Sequence, residues 1–438
     1  MSIVVAVACL FSLMVLIQAG YTVYLMIYTW DQPDANKKAR APEMFFAPRH
    51  AFTVLLPARH EEEVIQETIE RVVRANYPKE LMEILVICES GDLGTIAKAS
   101  EKVESLRKEG ISNARVVTFD DRPINKPHGL NVGLRQSRNE VVTIFDAEDE
   151  VHADIFNVVN TVIEHTNVRV VQSGVQLMNY ASSWYSTLNV LEYFFWFKSR
   201  LHYHAQLGMI PLGGNTVFFR RDLLEEIGGW DESNLTEDAD IGIRISTLGE
   251  PVRVVYDDRY VTKEETPPTL AHFIRQRTRW SQGFLQTLRK GTWTKLPTWH
   301  QRLLALYTLA FPTFQAVLTG YVLLSLWMML AVRVTAPVAM LLISPAYLLV
   351  AHYIISLVGL YEFADAHGLH PSKMAALSMA LSYIPYQWVL GYAAVRAALR
   401  EMRGINNWEK TAHVGAHRQG SGAEQQAEAM AHRHSEAA

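Results

Sequence analysis

The sequence predicts an α/β fold, a doubly wound and mostly parallel sheet, inserted between transmembrane helices. Three observations lead there. Nearly charge-free stretches flank a middle of globular composition, so one chain meets two solvents. Within that middle, short β-rich runs alternate with segments of helical periodicity. Polar residues cluster directly after those runs, at the strand ends where open α/β sheets bind their ligands.

At 438 residues the chain exceeds the size at which a single hydrophobic core keeps growing. Its 49% hydrophobic content is uneven: residues 3–27 and most of 303–395 carry almost no charge, while 52–296 mix charged and apolar side chains. The formal charge of −4 lacks the basic excess that nucleic-acid binding needs, which excludes nucleic acid as a partner. Cys9 and Cys88 fall in an apolar helix and a buried strand. That placement argues against a disulfide framework and fits a reducing compartment.

Residues 3–27 are uncharged over roughly the ~20 residues a helix needs to cross a bilayer. Lys37, Lys38 and Arg40 follow, which puts the amino terminus outside and the middle of the chain in the cytoplasm. A signal peptide fits less well, because a basic leader is missing and the run exceeds an h-region of about 7–15 residues. Runs at 303–330, 337–361 and 374–395 predict three further spans, connected through Arg333 and through 362–373. Four spans leave the tail outside, whereas Arg396, Arg400, Arg403 and Lys410 favour keeping it inside. One run is therefore interfacial or re-entrant, and the start of 303–330, interrupted by Pro312, is the candidate.

The chain thus divides into a transmembrane helix (1–30), a linker (31–50), a cytoplasmic domain (51–268), interfacial amphipathic helices (269–300), about three membrane helices (301–398) and a largely disordered tail (399–438). The expected location is the plasma (inner) membrane, multi-pass. His432 and His434 in the tail read as solvated rather than as metal ligands.

In the middle, 52–56 and 83–88 read as strands. Between them 62–75 places Val64, Ile65, Ile69, Val72 and Val73 at helical spacing, which makes a βαβ unit. Strands at 115–119 and 141–145 with a helix at 130–138 repeat the pattern. Polar sets follow these elements: Arg59-His60-Glu61, then Glu89-Ser90-Gly91-Asp92, then Lys126 to Asn131. The fourth set, Asp146-Ala147-Glu148-Asp149-Glu150, packs four carboxylates into five positions at a strand end, where repulsion is costly without a counter-charge. A solvated acidic turn is the plain alternative. A hard divalent cation, Mg2+ or Mn2+, supplies the missing charge and completes its shell with phosphate oxygens, which suits a nucleotide-diphosphate donor.

Downstream, Thr236-Glu237-Asp238 opens a helix with Thr236 as N-cap, and ordinary capping would account for it alone. Residues 272–284 form a basic, aromatic-bearing helix that suits a membrane surface. Gly213-Gly214-Asn215-Thr216 is a small-residue turn that lets backbone approach a ligand, or simply a tight turn.

Taken in order, Asp146-Ala147-Glu148, Thr236-Glu237-Asp238 and Gln276-Arg277-Thr278-Arg279-Trp280, followed by membrane helices, resemble the processive membrane family 2 glycosyltransferases. This is the group of cellulose, hyaluronan, chitin-oligosaccharide and poly-N-acetylglucosamine synthases, and the resemblance runs from about Val54 to the last span. It implies a nucleotide-sugar-binding fold of the glycosyltransferase A type. It also implies inverting, metal-dependent transfer from a nucleotide-diphosphate sugar, a UDP-sugar in most of the group, to a growing glycan at the bilayer, with coupling to export and room for a separate export or regulatory subunit.

By the same resemblance Glu61, Glu89 and Asp92 bind the nucleoside, and Lys126 and Asn131 lie near the donor phosphates. Asp146 and Glu148 hold the metal, with Asp149 as alternative because the second acid is Glu rather than Asp. The usual Asp-Asp-Gly after the second strand is absent. Asp238 is the general base, with Glu237 beside it. Arg279 stabilises the leaving group on the donor side, and Trp280, Gln276, Gly214 and Asn215 face the acceptor. Two rivals are a lipid-linked sugar transferase, against which Gln276 to Trp280 weigh, and a silent membrane subunit, against which Asp146, Asp238, Arg279 and Trp280 together weigh. The donor sugar and the linkage are not encoded in these motifs.

Overall fold

The computed structural model describes residues 3–331 and 335–409; Arg333, Lys410 and the tail histidines His432 and His434 lie outside the described residues. The elements run in order α1 (Ile3–Asp31), α2 (Pro33–Ala39), β1 (Phe52–Ala58), α3 (Ile65–Val73), β2 (Met82–Glu89), α4 (Leu93–Lys108), β3 (Ala114–Phe119), α5 (Lys126–Gln136), β4 (Val141–Ile144) and α6 (Ile155–Thr166). They continue as β5 (Val170–Ser173), β6 (Val175–Leu177), α7 (Ser186–Phe195), a π-helical turn (Trp196–Arg200), α8 (Leu201–Leu207), β7 (Val217–Arg220), α9 (Arg221–Glu226), α10 (Glu237–Thr247), β8 (Val252–Val255) and β9 (Thr262–Glu264). The chain then forms α11 (Leu270–Lys290), α12 (Trp299–Ala331), α13 (Ala336–Ala366) and α14 (Lys373–Met402).

The main sheet has the order β3-β2-β1-β4-β7-β5-β8. Strands β1 to β4 are mutually parallel, β7 runs antiparallel to β4 and β5, and β5 is parallel to β8. A second, two-stranded sheet pairs β6 with β9. The inner strands are buried along nearly their whole length, because helices cover both faces of the sheet. One face carries α3, α4 and α6 through Ile69, Leu106 and Val159. The other carries α5, α7 and α10 through Leu130, Leu191 and Ile241, and this core continues without a break into Phe363 of α13 and Tyr386 of α14.

The structure starts α5 at Lys126, four positions before the periodicity suggests, for a local reason. The Asn125 side chain accepts the His128 N–H at 3.0 Å, and Pro127 fits a first turn where its missing N–H is no loss. Lys126 thereby sits at a helix start instead of in a loop. Gly133 of the same helix lies so close to the sheet that a Cβ would come within 2.4 Å of Ile87.

Among the described residues two helices, Val5–Asp31 and Ala336–Ala366, are long and apolar enough to cross a membrane. Their outward faces carry Leu10, Ile17, Val350 and Ile354. The α/β domain grips them through Glu362 of α13, which pairs with Lys198 at 2.5 Å and accepts the Trp30 indole N–H at 3.0 Å. Helix α14, which contains the run 374–395, lies along α11: Tyr386 meets Phe273 with ring centroids 5.6 Å apart, and Arg289 reaches Glu401 at 2.5 Å. Beyond α14 the chain folds back onto α11, where Gln282 donates to the Ile405 carbonyl at 2.8 Å.

Candidate active site

A cavity of about 470 Å³ opens at the carboxyl ends of β1, β2 and β4. Glu61, Glu89, Asp146 and Glu148 line it from the strand ends, and Glu237, Asp238, Arg279 and Trp280 line it from α10 and α11. From there it extends between the long helices past Pro312, His352 and Tyr386.

At the centre, Lys126 Nζ stands 2.5 Å from Asp146 Oδ1 and donates to the Gly214 carbonyl at 3.3 Å. Burial alone would strip the ammonium of its proton, but Asp146, Glu237 and Asp238 outweigh that and raise its proton affinity. Gly214 lets the two sides meet: a Cβ there would lie 3.1 Å from Asp238 Oδ2 and 3.8 Å from Lys126 Nζ.

Helix α10 delivers Glu237 and Asp238, and α11 closes over them. Gly283 of α11 touches Thr236 so tightly that a Cβ would fall within 2.4 Å of its hydroxyl, so this glycine sets how near Arg279 and Trp280 stand to the two acids. Thr236 occupies the N-cap, yet its side chain makes no cap bond; the hydroxyl instead donates to Asn234 Oδ1 at 3.3 Å. Arg279 lies with its guanidinium carbon 4.4 Å from the Trp408 ring centroid. Trp280 is flanked by Arg277, 4.7 Å from its centroid, and by Tyr193 at 6.1 Å. Gln276 is buried on the cavity wall, and among the described residues its Oε1 accepts no hydrogen bond.

The electrostatics report a surplus of buried negative charge. Burial, reinforced by Asp238, pushes the Glu237 carboxyl up to about 7 against the pull of Lys126 and Arg279. Burial likewise raises Asp238, opposed by the Ala239 N–H and the same two cations. Glu264, at the end of β9, is pushed up to about 8 by burial and by Asp146 and Glu148. Burial and mutual repulsion among these carboxylates outweigh the cations that face them.

The family model for glycosyltransferase-like family 2 matches residues 48–283, the α/β domain together with the first two thirds of α11. The chain belongs to this family. Among its relatives are YdaM of Bacillus subtilis, itself described as a probable glycosyltransferase, at 27% identity over 53% of this chain and 54% of that one, and the poly-β-1,6-N-acetyl-D-glucosamine synthase of Staphylococcus epidermidis at 24% over 62% of each. A β-monoglucosyldiacylglycerol synthase of Nostoc sp. is 25% identical over 53% of this chain and 49% of its own. The chain spans about half the length of the curated relatives it matches. In fold it is similar to a mannosyltransferase of Pyrobaculum calidifontis solved with GDP-Man and Mn2+, with a TM-score of 0.52 and 20% identity over 89% of this chain and 98% of that one.

Not every residue singled out from the sequence of this family 2 chain reaches the cavity. Asp92 is buried away from it, accepts the His60 N–H at 2.6 Å and caps α4 through the Thr95 N–H. Asn131 exchanges hydrogen bonds with Trp230, donating to its carbonyl at 2.9 Å and accepting its N–H at 2.9 Å, which fastens α5 to the turn before α10. Asp149 is fully buried. Its oxygens accept the Asn215 amide at 3.0 and 2.9 Å, and Oδ2 also accepts the Asp146 N–H at 2.7 Å. It shapes the acidic turn from behind, leaving Asp146 and Glu148 as the acids of that turn that line the cavity. Asn215, on the cavity wall, also donates to Glu264 and so bridges the two acidic groups.

Sequence reasoning missed Glu264 and Trp408. Glu264 lies in a Lys-Glu-Glu run without motif character, and only the β6–β9 pairing brings it to the site. Trp408 follows the last apolar run and returns because Arg396 and Arg400 clasp Glu409 at 2.6 and 2.9 Å.

Proposed function

We propose that the chain is an inverting, metal-assisted transferase that moves a sugar from a nucleotide diphosphate to a glycan acceptor at the membrane. The observation that carries this reading is the convergence, around Gly214, of Lys126 with Asp146 on one side and Asp238 on the other, in a cavity continuous with the membrane helices. Glu61 and Glu89 at the strand ends would meet the nucleoside, and Lys126 and Arg279 the diphosphate.

The residues present fit a hard cation. Asp146 and Glu148 offer oxygen donors only, Asp146 already draws the Lys126 ammonium to 2.5 Å, and burial together with these two acids raises the proton affinity of Glu264. Held by Asp146 and Glu148, Mg2+ or Mn2+ would supply Lewis-acid stabilisation of the diphosphate. The P. calidifontis mannosyltransferase, which shares the fold, carries Mn2+ together with GDP-Man.

An acceptor hydroxyl is a poor nucleophile near neutral pH. Asp238 would take its proton as the oxygen attacks the anomeric carbon, and its raised proton affinity makes it a stronger base than an exposed aspartate. Lys126 and Arg279 would stabilise charge on the departing diphosphate. Attack from the side opposite that group inverts the centre. Trp280 offers an aromatic face on which the acceptor sugar can lie. The topology that suits this reading has α1, α12 and α13 crossing while α14 lies at the interface beside α11. The carboxyl end then stays with the catalytic domain, as Arg396, Arg400 and Arg403 demand.

The test is transfer by the lipid-reconstituted chain from a panel of radiolabelled nucleotide sugars with Mg2+, Mn2+ or chelator, followed by sizing of the product. A metal-dependent glycan from one donor is expected; transfer that survives chelation would remove the metal, and no transfer from any donor would remove the activity.

A further inference from the structure

The turn between α9 and α10 ties together the three helices that furnish the site. At the start of α5, which carries Lys126, Asn125 Nδ2 donates to the Glu232 carbonyl at 2.7 Å, and further along Asn131 Nδ2 donates to Glu232 Oε1 at 2.8 Å. From α11, which carries Arg279, Lys290 Nζ reaches Asp231 Oδ2 and Asp240 Oδ1, each at 2.7 Å. The chain then runs from Glu232 through Thr236 into α10, which carries Asp238. Asparagine amides do not titrate, so these links of α5 hold at any pH.

One further link is of a different kind. His128, buried in the first turn of α5, stands with Nδ1 3.0 Å from Glu232 Oε2 and with Nε2 3.1 Å from Asp121 Oδ1. Asp121 is exposed and belongs to the loop after β3 that brings Ile124 and Asn125 to the cavity wall. A neutral imidazole has a single N–H to give and serves one of these carboxylates, whereas an imidazolium serves both. The charged groups that face the ring are these two acids. Phe119 of β3 meets it edge-on with centroids 5.2 Å apart, and Arg135 of α5 acts on Asp121. Burial opposes the charge, but Glu232 and Asp121 outweigh it, so the ring keeps its proton above the ordinary value of 6.5.

We infer that His128 is a positioning residue for transfer: its two-sided bridge holds the loop after β3 and the turn before α10 against the start of α5, and so sets how Lys126 stands to Asp238. This rests on the transfer reading above for the roles of those two residues. Loss of the ring proton releases one arm of the bridge. The site then loosens while the asparagine links keep the fold, so chemistry suffers before nucleotide binding does. A misplacement of about 1 Å already costs on the order of 10²-fold in rate.

The experiment follows kcat and KM for transfer against pH in the lipid-reconstituted natural protein, His128→Gln and Asp121→Asn, with calorimetry of UDP and GDP binding in Mn2+. The natural protein is expected to lose kcat along an alkaline limb above pH 6.5. His128→Gln should lower kcat about tenfold on the acid side of that limb and abolish the limb, with nucleotide affinity unchanged within about twofold. Asp121→Asn removes an exposed acid and leaves the core intact; it should move the limb to lower pH, because one of the two groups that raise the ring is gone. A limb that neither variant moves, or a loss in His128→Gln confined to KM, would overturn the assignment. Thermal unfolding tests the bridge without turnover. A proton held more tightly in the folded state contributes stability that is full below about 6.5 and is lost as pH rises through the folded value. The Tm gap between the natural protein and His128→Gln should therefore narrow toward alkaline pH. A gap constant with pH would overturn the bridge, whereas a narrowing gap without turnover of any nucleotide sugar would count against transfer and leave the bridge standing.

Discussion

Lys126 and Asp146 meet at 2.5 Å at the centre of the cavity, and the same ammonium reaches the Gly214 carbonyl that abuts Asp238. One side chain thus balances the acids of β4 and the acids of α10. Replacing it with Met leaves Glu237 and Asp238 with Arg279 as their main counter-charge, so their proton affinities rise further. Lys126→Met is expected to lower kcat by about 10²-fold, the scale of losing one charge-stabilising donor, and to move the acid limb of the pH–rate profile upward. An unmoved limb would show that Lys126 touches only the donor.

Asp238→Asn removes the proposed base and keeps the shape. Transfer is expected to fall by about 10² to 10⁴-fold. Nucleotide affinity, measured by calorimetry with UDP and GDP in Mn2+, should change little, because the diphosphate side is untouched. Comparable loss of nucleotide affinity would reassign Asp238 to donor binding.

Asn131 separates a positioning role from a binding role. With both Trp230 bonds lost in Asn131→Ala, two backbone groups go unpaired, at about 1–3 kcal/mol in stability. Thermal unfolding should register that cost while the donor KM of the folded protein stays near its natural value. A KM rise without a fall in Tm would return Asn131 to the donor site.

Much of this architecture is legible before any coordinates. The strands 52–56, 83–88 and 141–145 declare themselves because central parallel strands are mostly apolar, the edge strand 115–119 shows through its β-branched Val116 and Val117, and the acids after β4 stand out because a strand end is where charge is dear. Local sequence is silent where the partner is remote. Asp92, Asn131 and Asp149 are polar residues of the expected kind at the expected places, yet their groups are spent on His60, Trp230 and Asn215, contacts fixed by chain segments far away. Glu264 and Trp408 fail in the opposite sense, since pairing of β9 with β6 and a clasp on Glu409 carry them to the site from unremarkable surroundings.

Glu264 makes metal-free stability depend on pH. The folded chain keeps this proton up to about pH 8, while the unfolded chain releases it near its ordinary value of 4.5. Between those values the folded state binds more protons, so stability is fullest below about 4.5 and declines as pH rises toward 8. Chelated protein should therefore lose Tm across that window, Mn2+ should restore Tm most at the alkaline end, and Glu264→Gln should flatten the slope. A slope unchanged by Glu264→Gln would place the titration elsewhere.

Trp408 covers Arg279 from the far end of the chain, 4.4 Å from ring centroid to guanidinium carbon, held by the Glu409 clasp and the Ile405 anchor on Gln282. A cation–π contact of this kind is worth about 0.5–2 kcal/mol, depending on how dry it is. Trp408→Ala is accordingly expected to lower kcat/KM for transfer by roughly two- to thirtyfold. Trp408→Phe, which keeps an aromatic face, should recover most of that. The informative ratio is donor hydrolysis to transfer: exposing Arg279 and the diphosphate to water should raise it in Trp408→Ala. If hydrolysis and transfer fall together, Trp408 only steadies α11, and Glu409→Gln should then reproduce the whole effect.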